Sequence, residues 1–149
     1  MRRETLISLF ASWALYVNPV AAQLSNGSPD SKAIKEFAFD YMKGLSQQNL
    51  SDREIANQLA SSMIYLEKMQ MNCHDYYYIN DSLARYKYQL YKGTWDMMFG
   101  PGKTSTLIMN EASNRRNAEL NNAPSKKAWC GDVKQRGERI FGWGPIFEQ

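Results

Sequence analysis

The chain has little of the material from which enzymes and metal sites are usually built. Its 149 residues include two cysteines and one histidine. With a single histidine, no Ser–His–Asp order and no histidine-rich metal motif emerges. That histidine and two distant thiols fall short of a zinc ligand set. No C-x-x-C pair occurs, which removes the common redox motif. Asp75 and Asp81 are neighbours in sequence, but nothing sets an acid and a base across a cleft. The sequence therefore assigns no catalytic residue, no metal and no cofactor, and the expectation is a protein that is not an enzyme.

Strand signals are missing too. No stretch alternates apolar and polar residues between hairpin turns, and there are no repeats or low-complexity segments. One phosphate-loop fragment, "FGPGKTST" (residues 99–106), does not survive its own spacing rule. The motif needs glycine five positions before Gly102, and Met97 stands there. Pro101 removes an amide that would face phosphate. The preceding "YQLYKGTWDMMF" has helical rather than strand character, so Gly100, Pro101 and Gly102 are expected to form a helix–helix turn.

What is present begins with "MRRETLISLFASWALYVNPVAAQ". Arg2 and Arg3 precede an apolar run, Leu6 to Val17, and then small residues at Ala21 and Ala22. This is the pattern of a secretory signal peptide over residues 1–22, cleaved after Ala22. The run is shorter than the ~20 residues that span a bilayer comfortably, although an uncleaved anchor is the alternative. Residues 23–149 then form a single helical domain without stable membrane insertion. The net charge is +3, and removal of Arg2, Arg3 and Glu4 lowers it to +2. That is too weak to imply nucleic acid. In an oxidising compartment, periplasmic or secreted, Cys73 and Cys130 allow one pairing, a structural disulfide. Closing so long a loop stabilises by roughly 4 kcal/mol on the chain-entropy model.

Five helices follow from periodicity and caps. Ser28 and Pro29 suit the start of the first, whose stripe is Ile34, Phe37, Ala38, Tyr41, Met42 and Leu45, with Gly44 as its stop. "SDRE" from Ser51 to Glu54 is a capping box opening the second. Its stripe of Ile55, Leu59, Ser62, Leu66, Met69 and Cys73 points the cysteine inward. Asn80-Asp81-Ser82 breaks that helix and caps the third, "DSLARYKYQLYKGTWDMMF", which is apolar on two faces and is expected to be central or committed to a partner. A weaker fourth helix carries Leu107, Ile108, Ala112 and Ala118, with "NRRN" on a polar side that joins Lys126 and Lys127 as a mild basic patch or merely faces water. The fifth starts at Ser125 and gathers Trp129, Cys130, Val133, Ile140 and Phe141. Gly131 and Gly137 interrupt it, and close packing is the expected reason, since glycine costs ~1 kcal/mol there. "GWGPIFEQ" reads as a glycine-rich aromatic tail.

The most unusual feature lies in the third helix. Arg85, Lys87 and Lys92 interleave with Tyr86, Tyr88, Tyr91 and Trp95. Tyrosine and tryptophan join an apolar face to a polar handle and are over-used in binding surfaces. One reading is a core helix whose hydroxyls reach the surface. The functional reading assigns Arg85, Tyr86, Lys87, Tyr88, Tyr91 and Trp95 to an exposed face that binds an envelope protein or a small ligand. His74, beside Cys73, lacks a free thiolate to act with once that cysteine is oxidised.

The ending "AWCGDVKQRGERIFGWGPIF" is similar to the tails of small periplasmic helical proteins of alphaproteobacteria. Those carry a signal peptide, one mid-chain cysteine, and a late cysteine before a helix ending in an aromatic–glycine pair, here Cys73, Cys130, Phe141 and Gly142. The likeness covers about half of the mature chain and implies the compartment and the disulfide, not an activity. In architecture the chain also resembles periplasmic acid-stress chaperones and secreted-toxin immunity proteins. A stress or chaperone-like role, with eight methionines giving adaptable packing, or a toxin-immunity role, is thus the alternative to a non-enzymatic binding module.

Overall fold

Helix ends set the frame, because each helix starts with four amides that lack an internal partner. In the computed structural model, which describes residues 27–149, short polar side chains fill that need at four of five starts. The expected signal peptide, residues 1–22, lies outside the described residues. Helix α1 (Ser31–Ser46) is capped by Asp30, whose carboxylate accepts from the Ala33 amide at 2.8 Å. The start thus lies two residues beyond the Ser28 cap read from sequence. Aspartate caps as well as serine and adds a favourable charge at the positive helix end. Gly44 does not stop α1, which continues to Ser46.

Helix α2 (Asp52–Asn72) opens with the expected capping box, Ser51 and Glu54 bonding reciprocally. Asn80 caps α3 (Asp81–Met98) through the Leu83 amide. Ser125 caps α5 (Lys126–Ile140) through the Ala128 amide. Helix α4 (Lys103–Asn122) has no side-chain cap. It follows a turn in which Gly100 takes a positive φ of 61°, the conformation glycine adopts without strain. Gly100, Pro101 and Gly102 thus form the expected helix–helix turn, preceded by a helix, and the "KTST" that follows opens α4. A short 3-10 segment, Gly144–Phe147, ends the architecture, and no strand occurs among the described residues.

Among the described residues the fold is all-α, five helices stapled by one disulfide. Every residue of the α2 stripe from Ile55 to Cys73 is buried, as its spacing predicts. Ala56, Ala60, Met63, Ile64 and Tyr65 are buried as well, because α3, α4 and α5 all pack on α2. The central position expected for α3 therefore belongs to α2. Helix α3 lies between α2 and α1, which is why it too is apolar on two faces. Buried Ser62 and Thr94 each donate to a carbonyl one turn back, so neither leaves an unmet polar group in the core. Helix α4 contributes less than expected. Ile108 and Ala112 are buried, but Leu107 and Ala118 face solvent.

Cys73 and Cys130 are bonded with their Cα atoms 5.6 Å apart, tying the end of α2 to the start of α5. Both are buried. The aromatic tail is part of the same core. Trp143 and Ile146 are almost fully buried. The Trp143 indole donates to the Tyr91 hydroxyl at 3.2 Å, and the Asn80 amide donates to the Ile146 carbonyl at 2.7 Å. A Cβ at Gly137 would stand 2.5 Å from the Trp143 ring, so close packing does account for that glycine. Gly142, with φ 65°, turns the chain back so that Trp143 can seat.

Candidate functional site

The residues picked from α3 do not form one surface. Tyr86, Lys87, Tyr91 and Trp95 are all buried, each 5% exposed or less. Tyr88 is half-buried, and Arg85 alone of the six is open to solvent. The exposed aromatic face read from the sequence is corrected accordingly. Those rings are spent on packing. The Tyr91 ring meets Phe37 edge-on at 5.2 Å and Tyr41 at 6.0 Å, forming a cluster of the kind that stabilises beyond area alone. Trp95 packs on Phe99. The Lys87 ammonium lies 5.3 Å from the Phe37 centroid and 6.0 Å from that of Tyr91. Desolvation pulls the Lys87 ammonium down to about 7 and pushes the Tyr41 and Tyr91 phenols well above their ordinary range.

An opening exists on another side. A groove of about 550 Å³ runs along α1, α2, α4 and α5. Tyr41 and Leu45 come from α1, Asn57, Gln58, Ser61 and Tyr65 from α2, Arg116 from α4, and Arg136 and Ile140 from α5, with Gln48 and Phe141 at the flanking turns. Its volume falls within the range of small-molecule sites, and its mixture of apolar wall and few polar groups is typical of them.

The charged part of the groove is organised around Tyr65. That residue follows Ile64 and precedes Leu66 on the buried side of α2, so its ring is inside and its hydroxyl reaches the groove. The hydroxyl donates to Glu119 Oε2 at 2.8 Å and accepts from Arg136 Nη1 at 2.7 Å and from Arg116 Nη1. Its single proton and two lone pairs are thereby all used. The guanidinium carbons of Arg116 and Arg136 stand 4.7 and 5.8 Å from the ring centroid. Arg116 also pairs with Glu119 Oε1 at 3.2 Å, one helical turn away on α4. Burial, and then the hydrogen bond to Glu119, push the Tyr65 phenol up against the opposing pull of the guanidiniums.

Two guanidiniums thus face one carboxylate, a surplus of one positive charge. Arg116 is only 15% exposed at its side chain, and its Nε is buried with no hydrogen-bond acceptor among the described residues. The polar side of α4 is consequently more than a solvated face. Arg116 turns inward onto Tyr65, and Arg115 donates to Asn57 at 3.3 Å. Lys126 and Lys127 are exposed in the first turn of α5.

His74 does meet a carboxylate. Its Nε2 lies 3.0 Å from Asp81 Oδ1, which also receives Gln70 at 3.2 Å. Both side chains are nearly half exposed, and the adjacent Cys73 sulfur is locked in the disulfide, so the pair holds no nucleophile. Among the described residues no His, Cys, Asp or Glu cluster could hold a metal ion, and no helix is long and apolar enough to cross a membrane.

Tyr65, Arg116, Arg136 and Glu119 were not legible as a group. They are brought together across 51 and 71 residues of sequence, and the only local hint is a tyrosine beside the α2 stripe. Comparison with protein-family models, with curated proteins and with solved structures finds no match to this chain.

Proposed function

We propose that the protein is a non-enzymatic binding module of an oxidising compartment, periplasmic or secreted, and that it holds a small ligand in the groove beside Tyr65. The observation that carries this reading is the groove itself. It is an apolar-walled opening of about 550 Å³ with two arginines on its lining, in a fold whose remaining aromatic residues are largely consumed by the core. The buried disulfide supports the compartment, since such bonds persist where the surroundings are oxidising.

A fragment screen by two-dimensional amide NMR tests the binding role. Small amphipathic molecules should shift the amides of Ser61, Tyr65, Arg136 and Phe141 together. A screen in which none of these responds would refute the groove as a binding site. Mass spectrometry of the native protein, with and without reductant, tests the compartment. Intact protein should be two hydrogens lighter than its reduced form, and free thiols in the native material would contradict export.

A further inference from the structure

The chemistry of the groove narrows its ligand, and this step rests on the binding role proposed above. From the two guanidiniums that share the Tyr65 hydroxyl, we infer that the ligand is a small amphipathic monocarboxylate, its head held by Arg136 and Arg116 and its apolar body lying along Leu45, Ile140 and Phe141.

Charge comes first. Arg116 and Arg136 line the groove, whereas the one carboxylate that offsets them, Glu119, does not. A cation would meet two like charges there. A single negative charge neutralises the surplus, and a dianion would overshoot it in a partly desolvated space, where unbalanced charge is costly.

Donor geometry comes second. A guanidinium has five N–H donors in a planar fork that matches a carboxylate with two parallel hydrogen bonds. Arg136 gives Tyr65 one Nη1 bond and its residue is otherwise exposed, so most of its fork is open to an incoming acceptor. Arg116 is held more tightly, between the Tyr65 hydroxyl and Glu119, and fixes the field rather than moving with the ligand. The Tyr65 phenol positions both, since it is the common acceptor.

The apolar body comes third. Ile140 is 45% exposed, and Phe141 is half-buried against Trp143 at 4.9 Å. Apolar area dominates the lining, and covering it is favourable at roughly 25 cal/mol per Å². The groove volume suits a molecule of small-ligand size and is too small for a folded partner.

Isothermal titration with decanoate and decyltrimethylammonium below their micelle concentrations, and with decan-1-ol below its solubility limit, tests the assignment, with amide NMR locating the site. Decanoate should bind about tenfold or more tighter than decanol, the scale expected of a charge-assisted hydrogen bond. The cation should not bind at the groove. Arg136→Gln should remove most of the preference for decanoate and leave decanol binding nearly unchanged, while Phe141→Ala should weaken both. Unfolding curves of each variant check that the fold is retained. If decanoate and decanol bind equally at the groove, the carboxylate assignment is wrong and the groove stands. Binding of decanoate with amide shifts only elsewhere would also overturn the carboxylate assignment. If none of the three probes perturbs the groove, the carboxylate assignment and the binding role proposed for this groove both fall.

Discussion

Two places in this molecule set cations against aromatic rings, and they differ in one respect. Between α1 and α3, Lys87 sits over Phe37 and Tyr91 in a sealed interior. Beside α2, Arg116 and Arg136 approach Tyr65 at the wall of an open groove. Proximity of charge and ring is common to both. Access is not. In the first cluster the charge carries a desolvation cost and serves packing. In the second it keeps donors near solvent, where a ligand can use them. A tyrosine- and lysine-rich run in a sequence therefore identifies a cation–aromatic cluster without saying which kind it is.

The largest separation between the two clusters should come from truncating their tyrosines. Tyr91→Ala removes a fully buried ring and the acceptor of the Trp143 indole. It should cost about 3–5 kcal/mol in urea unfolding, the range for large core aromatics. Trp95→Ala should cost as much. By contrast Tyr65→Phe, which keeps the ring and loses the shared hydroxyl, should cost about 1–2 kcal/mol. Equal losses at Tyr91 and Tyr65 would erase the distinction.

Replacing both cysteines by serine should lower stability by about 4 kcal/mol, with the groove residues Tyr65 and Arg136 keeping their mutual contacts if folding survives. A stability loss below about 1 kcal/mol would mean that packing alone holds α2 to α5.

The pH dependence sharpens the contrast further. Lys87 is held at about 7 in the folded state against an ordinary value of 10.5. Between those values the unfolded chain binds more protons, so stability should rise with pH from about 7 toward 10. Below about 7 both states are protonated and the cost is fully present. Tyr41 and Tyr91 act oppositely, because their phenols are raised above 10. Their contribution is intact below pH 10 and is lost above it as unfolded tyrosines ionise. Thermal unfolding should therefore show a maximum near pH 10. Lys87→Met should raise the melting temperature at pH 7 and flatten the rising limb. A melting temperature that falls in this variant would show that the buried ammonium stabilises the fold.

Gly137→Ala should cost about 1–3 kcal/mol by pressing a methyl into the Trp143 ring. Smallest of all, Arg136→Gln should change stability by less than about 1 kcal/mol. Its effect belongs to ligand binding.

How much of this was written locally follows from the same cases. The capping box at Ser51, the caps at Asn80 and Ser125, the α2 stripe and the Gly–Pro–Gly turn are all decided within four or five residues, and all appear as the sequence implies. The α1 start shifted because Asp30 and Ser28 are both competent caps and only packing chooses between them. The two-sided pattern of α3 correctly implied burial on two sides but could not tell a core from a partner, since both reward the same residues. "GWGPIFEQ" carries too few apolar positions to show a period, and its burial depends on Tyr91 and Asn80, far away in sequence. The groove is the extreme case. Tyr65 and the three charged residues that meet at its hydroxyl come from three helices, and no short window contains two of the four except Arg116 and Glu119.

The seating of Trp143 and Ile146 has a consequence for truncation. Removing residues 143–149 would unseat two of the innermost side chains of this domain. Without them Tyr91 and the turn before α3 lose their covers. A cut or insertion just ahead of Trp143 should therefore loosen the core, although the tail reads as a dispensable extension.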